Sequence, residues 1–562
     1  MSNIEFQNAI PEEFVLQAPT STSKSILRKN LMEVLPVGSA DYSSGQNATI
    51  AFQISSNSDI LCGAESYFRF DFRNTTNSAV LIPATQFQEP ALAFDVGGIN
   101  SLFKSIEVRA LGNGITLQRY DDYNCYNALA SLIYDTEQDV MENHVAGDDI
   151  DPTESRFNRP VDCTTAAWTA ATGTLTGVGT KFLQEGLVGK MIQVSLATYS
   201  WTGLVRSVTN DTVLVMSGGP QADVGATNAD IFVLSLTSVG QHNWRRWFHS
   251  YISSSGSHVV IFKPRVSLLQ HNLPLFLMKG GIEIIFELAD GGRGIQVLEP
   301  TNLATDSAAT LAYTISRPRY FAQMLTPHPD IIDEYIRQWK SSTGLVYSIP
   351  SVRSRQISGS IADASGTSLN YSVGVRSARR AYLVVRPSTL AAGPAANAVA
   401  NRANSVSAFP RTKIISFQSK IGSHEYPNRA VQTLSTNTVQ HSEYSEAWKH
   451  LMMVAGPCRG NRRLKYHQFT SSGINYYLVS NSSEDATTVQ DSRHFIMAFD
   501  FSRDKGLNGD LTGADLSIVP LAIDLIRSAA ASEYTGATFL YQLFVEHDSF
   551  LKISSEQMSV MN

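Results

Sequence analysis

The feature that most constrains this chain is the run NLPLFLMKGGIEIIFELAD at residues 272–290. A membrane-spanning helix needs about 20 mostly apolar residues without charges, whereas this run contains a proline, a glycine pair and charged side chains. After the glycines, apolar residues occupy every second position as far as Leu288, with Glu283 and Glu287 between them and Ile285 as the exception. A period of two predicts a β-strand with one buried face.

Similar short segments recur along the chain, separated by turn residues. Before residue 325 they are NATIAFQIS, YFRFDFR, LFKSIEVRAL and GITLQRY, and after residue 345 they are LVYSIPSVRS, RAYLVVRPS, KIISFQSKIGS, HFIMAFDF, IVPLAIDLI and TFLYQLFVEHDSFLKI. A helix with the sequence HPDIIDEYIRQWKS lies between the two groups, and Asp330 is its predicted N-cap. A parallel α/β sheet would need a helix after nearly every strand, so the pattern predicts an all-β chain of two sandwiches or jelly rolls in series, with a few short helices.

The 562 residues exceed the length of one ordinary domain. Changes in amino-acid composition along the chain predict where the domains begin and end. A Thr/Gly/Val-rich stretch differs from both of its neighbours, and we interpret it as a small β-barrel-like module inserted into the first β domain. The predicted limits are an N-terminal arm at 1–30, a first jelly roll at 31–164 and 237–325, the inserted domain at 165–236, and a second jelly roll at 326–562. Within the last of these, residues 395–409 have the composition of an exposed loop.

Composition and motif spacing argue against several function classes. A net charge of -6 and a pI near 6.1 lack the basic footprint of nucleic-acid binding, so no specific nucleic-acid recognition is expected. The N-terminus shows no secretory signal, and the four cysteines are widely spaced, which favours synthesis in a reducing cytosol without disulfides. The 12 histidines form neither an HxH nor an HExxH motif, EGLVGKM at 185–191 lacks the spacing of a phosphate loop, and no GxSxG elbow occurs. We therefore predict no catalytic, cofactor or metal residues, and a protein that is not an enzyme.

Two basic clusters and one aromatic run leave alternatives open. The clusters VRSARRAYLVVR (Arg376, Arg379, Arg380 and Arg386) and CRGNRRLKYH (Arg459, Arg462, Arg463 and Lys465) suit either a polyanion or acidic neighbouring subunit, or internal salt bridges and solvated loop ends. The run NWRRWFHSY at 243–251 suits either stacking on sugars or bases, or a packed strand start with arginine on tryptophan.

Several segments from the two halves of the chain are informative about its family when they are considered together, in their order along the sequence. They are INSLFKSIEVRALGNGITLQRYDDYNCYNAL and LPLFLMKGGIEIIFELA in the first half, and ISFQSKIGSHEYPNRAV, HFIMAFDFSRDKG, IVPLAIDL and LYQLFVEHDSFLKISSEQMSV in the second. As an ordered set they resemble the major capsid proteins of the double jelly-roll lineage, especially those of virophages and polinton-like DNA viruses. The resemblance covers nearly all of the chain except the arm, the inserted domain and the 395–409 loop.

The resemblance implies two eight-stranded jelly rolls in each chain and a homotrimer that forms a pseudo-hexagonal tile of an icosahedral shell. It implies location in the virion after assembly in the interior of the host cell, with neighbouring capsomers, penton proteins and minor capsid proteins as partners. Residues 165–236 look like the small β-barrels of phage tail and fibre proteins, so we expect them on the outer surface, where they would contact the host. The alternatives are a carbohydrate-binding, lectin-like protein, which the aromatic run favours, and a jelly-roll enzyme, which the histidine spacing disfavours.

Overall fold

A computed structural model describes most of the two β domains and much of the insertion. The described residues are 26–44, 48–75, 92–94, 97–136, 159–161, 163–182, 187, 191–196, 199–217, 220–234, 257–297, 312–360, 366–387, 406, 409–412, 414–433, 445–456, 462–464, 466, 469, 475–477, 488–490, 494–502, 513–527, 538–555 and 558–561. The arm as far as residue 25, the run at 243–251 and most of the loop at 395–409 lie outside them.

The first half of the chain contains 19 of the described strands, in three groups. The first group is β1 (Ile26–Val34), β2 (Asp41–Ser43), β3 (Thr49–Ile54), β4 (Ile60–Asn74), β5 (Leu92–Phe94), β6 (Phe103–Ala110), β7 (Thr116–Tyr120) and helix α1 (Tyr123–Tyr134). The second is β8 (Arg159–Val161), β9 (Thr165–Thr169), β10 (Thr174–Val178), β11 (Met191–Leu196), β12 (Tyr199–Asn210), β13 (Val213–Ser217) and β14 (Val224–Leu234). The third is β15 (Ser257–Phe262), β16 (Asn272–Pro274), β17 (Ile282–Leu288), α2 (Gly291–Gly294), β18 (Ile295–Val297) and β19 (Tyr313–Pro327).

The second half begins with helix α3 (Pro329–Lys340) and is again built from strands. These are β20 (Leu345–Ser348), β21 (Ser351–Ser360), β22 (Thr367–Tyr371), β23 (Ala378–Pro387), β24 (Ile414–Ile421), β25 (His424–Gln432), β26 (Asn475–Tyr477), β27 (Thr488–Gln490), β28 (Met497–Asp500), β29 (Leu521–Arg527), β30 (Thr538–His547), β31 (Phe550–Ile553) and β32 (Met558–Met561), with helix α4 (Ser445–Ala455) after β25.

The first β domain is a jelly roll. Its sheet A1 has the order β1–β19–β4–β15, with β2 continuing the edge beside β19 and β16 pairing with β4, and its sheet B1 has the order β3–β17–β6–β7. When the eight principal strands are numbered along the chain, with β1 and β2 together as the first, these orders are 1-8-3-6 and 2-7-4-5. All of the pairings are antiparallel. Two sheets with these strand orders form the double Greek key of a jelly roll.

The second β domain repeats this topology. Sheet A2 has the order β21–β30–β23–β28 and sheet B2 has the order β22–β29–β24–β25, which again are 1-8-3-6 and 2-7-4-5. The prediction of an all-β chain with two tandem jelly rolls is therefore confirmed by strand order. In both rolls a helix follows the fifth strand, α1 after β7 and α4 after β25.

The insertion lies between the fifth and sixth strands of the first roll, and residues Asp149–Tyr251 form a compact unit of their own. Strands β11, β12, β13, β10, β9 and β14 pair in that order, and β14 pairs again with β11, which closes a six-stranded barrel. Its core is separate from that of the jelly rolls and includes Trp168, Leu175, Ile192 and Leu214. The β-barrel-like insertion predicted as part of the fold is thus present, while the limits drawn for the domains remain predictions.

Strand β17 explains both the alternation in the sequence and its exception. Phe286 is buried in an aromatic cluster, with ring centroids 4.8 Å from Phe68 and 5.0 Å from Phe103. Ile285 lies on the opposite, half-buried face of the same strand. There Glu287 pairs with Lys104 at 2.8 Å, so the face that carries Ile285 is largely polar. The alternation in the sequence is therefore that of a strand with one fully buried face, and its exception, Ile285, lies on the half-buried face.

The predicted N-cap of the helix between the rolls is wrong. The N-cap of α3 is His328, whose Nδ1 accepts a hydrogen bond from the backbone N–H of Asp330 at 3.4 Å. Pro329 occupies the first helical turn, where its fixed φ suits the helix and its missing N–H costs nothing. The N-cap therefore lies two residues before the aspartate, and Asp330 lies inside the first turn. Within the described residues, no helix is long and apolar enough to span a membrane.

Replacing Phe286 with aspartate should abolish soluble, folded protein. The side chain is 2% exposed, and an unpaired carboxylate in such a site costs several kcal/mol, a large part of a domain's stability. Ile285→Asp, on the opposite face of the same strand, is the matched control and should remain soluble. Soluble yield and thermal unfolding of both variants test the assignment. Normal folding of the Phe286 variant would show that the buried face is assigned to the wrong residues.

Candidate functional site at the junction of the two jelly rolls

Helix α1 belongs to the first roll but packs against the second. The ring of Tyr126 lies 5.8 Å from that of Phe544, and the ring of Tyr134 lies 6.4 Å from that of Tyr382. All residues from Tyr123 to Ile133 are buried. A helix that is apolar or buried on every side lies between two packed layers. Here the layers are the first roll and sheet A2.

Sheet A2 is consequently covered on both of its faces. On β23, Leu383 and Val385 point to one face and Tyr382 and Val384 to the other, and all four are fully buried. A strand covered on both sides has a continuous apolar run where a half-exposed strand alternates. The segment AYLVV in β23 has this character because α1 lies over its outer face.

Glu546 on β30 forms the polar centre of the junction. The Tyr134 hydroxyl lies 2.8 and 2.9 Å from the two carboxylate oxygens of Glu546, and the Tyr126 hydroxyl donates to the same carboxylate at 3.2 Å. The Tyr134 and Tyr382 hydroxyls lie 2.6 Å apart. A chain of donors thus runs from Tyr382 through Tyr134 to Glu546, joining α1 to two strands of sheet A2.

Burial governs the charge state of these groups. It raises the pKa of Glu546, against the stabilising hydrogen bonds from the tyrosines. Burial, and next the negative charge of Glu546, raise the pKa of Tyr126 and of Tyr134. Both hydroxyls therefore keep their protons at neutral pH and remain donors. The adjacent His547 is also buried, which lowers its pKa to about 4 and leaves it uncharged.

Arginines of both basic clusters lie at the junction in internal contacts. From the first cluster, Arg386 donates through Nη1 to Gln542 Oε1 at 2.7 Å. From the second cluster, Arg462 donates through Nη1 to the Ile133 carbonyl at 2.7 Å. Arg376 is exposed, and residues 459 and 465 lie outside the described part of the chain. The sequence left open whether the clusters meet a polyanion or acidic neighbouring subunit, or make contacts within the chain. For Arg386 and Arg462, the structure shows contacts within the chain.

The second roll also caps the C-terminal end of α1. The backbone N–H groups of Arg463 and Leu464 donate to the carbonyls of Asp135 and Leu132 at 3.1 and 3.0 Å. The last carbonyls of a helix have no partner within it, so they need donors from elsewhere. Because these donors come from the other roll, the end of α1 is fixed by the junction itself.

Two serines complete the contact between the rolls. Ser354 on β21 donates to the Asp122 carboxylate at 2.8 Å, and Ser267 donates to the Pro350 carbonyl at 2.8 Å. Asp122 is the N-cap of α1, although its own side chain makes no capping hydrogen bond. Its carboxylate is used instead to hold the second roll. Both ends of α1 are therefore tied to that roll.

The barrel has a shallow pocket of about 630 Å³ lined by Trp168, Met216, Pro220 and Asp223. The indole N–H of Trp168 donates to the Pro220 carbonyl at 2.9 Å, and Asp223 accepts from the Ala170 N–H at 2.7 Å. The polar atoms of two lining residues thus already have partners within the barrel.

Across the described residues, no group of three or more His, Cys, Asp or Glu side chains could hold a metal ion.

The sequence did not identify Tyr126, Tyr134, Tyr382 and Glu546 as a group. One signal was present in AYLVV, whose lack of alternation indicates a strand covered on both sides. The identity of the cover could not be derived from it, because Tyr134 and Glu546 are 412 positions apart.

Comparison with known proteins gives the following matches. No family model and no curated protein matches this chain. Among solved structures, it is similar to that of the Sputnik virophage, with 10% identity, a TM-score of 0.49 and coverage of 97% of this chain and 90% of that chain. It is also similar to the Faustovirus major capsid protein (10% identity, TM-score 0.45, coverage 96% and 92%) and to the mavirus major capsid protein (9% identity, TM-score 0.44, coverage 100% and 94%). At such low identity, no residue role carries over from these proteins.

Replacing Tyr134 with phenylalanine should destabilise the junction. The variant keeps the ring and removes the hydroxyl that bonds both carboxylate oxygens of Glu546, so the carboxylate keeps Tyr126 as a donor but loses its two shorter hydrogen bonds, at a cost of about 1–3 kcal/mol. Tyr335→Phe is the matched control, because within the described residues the hydroxyl of this buried tyrosine has no hydrogen-bond partner. Denaturant unfolding should show a lower midpoint for Tyr134→Phe alone. Equal midpoints for both variants would mean that the Glu546 cluster contributes little.

Proposed function

We propose that this chain is the major building block of a viral shell, acting as a homotrimer in which six jelly rolls form a pseudo-hexagonal tile. The observation that carries the proposal is the head-to-tail contact between the rolls, in which α1 of one covers sheet A2 of the next. Contacts of this type use two different surfaces, so repeating them generates rings when the rotation closes. Three chains with two equivalent rolls each make a ring of six.

A six-sided tile suits a shell because it packs edge to edge with its neighbours. Hexagonal tiles alone form a flat layer, so a closed icosahedral shell also needs five-fold units at its vertices. We accordingly propose penton and minor capsid proteins as partners, the virion as the location, and assembly in the interior of the host cell. The proposed role is structural and requires no catalysis and no specific recognition of nucleic acid.

For the insertion we propose display on the outer surface and contact with the host. The support is its separate core and its position in a connection between strands, since connections can change without disturbing the sheets. The shallow pocket beside Met216 and Asp223 gives the barrel a concave surface of its own.

The recombinant chain should form a stable trimer. Obligate subunit interfaces commonly bury more than about 2,000 Å² in total, which keeps such oligomers associated at micromolar concentration. Light scattering after size-exclusion chromatography should give three times the 61.5 kDa mass of the chain. Electron microscopy should then show six-lobed particles. A persistent monomer at micromolar concentration would contradict the proposal.

Replacing residues 159–234 with a short Gly/Ser linker should leave the trimer intact. These residues run from β8, which pairs with β14 beside the barrel, to the end of β14, and the barrel core is separate from that of the jelly rolls. The linker variant should keep the thermal transition of the jelly rolls and the trimeric mass, while losing attachment to host cells if the barrel makes that contact. Loss of folding after the replacement would show that the barrel supports the jelly rolls.

A further inference from the structure

The outer face of sheet A2 contains an aromatic pair that α1 covers. Tyr382 on the third strand and Phe544 on the eighth strand are direct neighbours in the β-ladder. Both are fully buried, and the rings of Tyr134 and Tyr126 lie over them. This pair is the apolar centre of the contact between the rolls.

The first roll has the same pair at the equivalent strands. Tyr67 on the third strand and Phe321 on the eighth are direct neighbours in the ladder of sheet A1. Their rings stack with centroids 5.0 Å apart and planes 19° apart. Both side chains are only partly buried. A tyrosine beside a phenylalanine thus recurs on the same two strands, but only one copy of the pair is fully covered.

The outer face around the Tyr67–Phe321 pair combines charged residues, among them Glu33 beside Phe321, with exposed apolar side chains. On the edge strand β15, Val259 and Ile261 are 52% and 41% exposed and lie on the same outer face. On the opposite edge, Leu31 of β1 is 46% exposed. Several large apolar side chains left exposed on one sheet face are typical of an interaction surface.

Helices α1 and α4, which follow the fifth strand of the first and the second roll, differ in how far they are buried. Helix α1 is buried on every side, whereas α4 buries Ala447, Leu451 and Val454 and leaves Lys449 and Met453 exposed. Met453 is 58% exposed. A flexible methionine side chain packs favourably against aromatic rings. Within the described residues, the helix after the fifth strand therefore has an exposed side in the second roll, whereas its counterpart in the first roll is buried on every side.

We propose that sheet A1, at the Tyr67–Phe321 pair, is the docking surface for helix α4 of a second copy of this chain. This contact would repeat between chains the contact that α1 makes with sheet A2 within one chain. The partner is a second copy because the matching face is already covered by the equivalent helix of the equivalent roll. The inference rests on the proposed oligomer and assigns the two surfaces that close it.

Introducing a negative charge on each surface tests the proposal with the full-length chain. Phe321→Glu and Met453→Glu should each raise the dissociation constant of the oligomer at least tenfold, measured by sedimentation over a range of concentrations, while circular dichroism remains unchanged. Ile526→Glu is the matched control, since this residue is 48% exposed and lies on sheet B2, which contains neither Phe321 nor Met453. It should leave association unchanged. Met453 is on an exposed helix side, so that variant remains informative if Phe321→Glu fails to fold.

Cross-linking between copies supplies a second readout. In a chain with Cys163→Ser and Cys458→Ser, copies carrying only Tyr67→Cys are mixed with copies carrying only Met453→Cys and treated with a short bis-maleimide. A covalent dimer should form in the mixture and in neither single variant. If the wild type is a trimer, but both glutamate variants associate normally and no mixed dimer forms, the docking surface is wrong while the proposed trimer stands. A monomeric wild type would overturn both.

Discussion

The burial of sheet A2 on both faces is the constraint on which the rest of the molecule depends. Tyr382 and Val384 occupy a face that an isolated jelly roll would expose to water. Each large apolar side chain of this kind loses about 1.5–3 kcal/mol when it is exposed, so the second roll is not complete without α1. The Glu546 cluster adds orientation to this burial, because a buried carboxylate tolerates only positions in which its donors are in place.

Because of this constraint, the two rolls contact each other through different surfaces, and the two ends of the pair differ. Two rolls with identical strand order could have been joined symmetrically, so that each covered the same face of the other. They are joined instead with the helix of the first on the sheet of the second, which leaves Tyr67 and Phe321 partly open at one end and Met453 exposed at the other. In the proposed oligomer, a unit with two different ends of this kind would associate head to tail, through the same type of contact that joins its own two rolls.

The sequence predicted some of these features and could not predict others, for physical reasons. Local periodicity identified β17 and its buried face, since alternation depends only on neighbouring residues. The N-cap of α3 was misplaced because Pro329 competes with Asp330 for the helix start, and both residues are good start signals. The strand order was available only through the resemblance between ordered segments. The Glu546 cluster could not be predicted, because its residues are far apart in the sequence and a short segment does not show which distant residue each side chain contacts.

The position of the insertion follows from the same junction. The chain enters the insertion just after α1, whose last carbonyls are held by Arg463 and Leu464 of the second roll. The first strand of the insertion, β8, pairs with its last strand, β14, so the two chain ends of the insertion lie side by side. A module whose ends are adjacent can be added to a connection without forcing its flanking strands apart. The connection that carries α1 can thus tolerate a whole domain, because the helix that matters for the fold is anchored before the insertion begins.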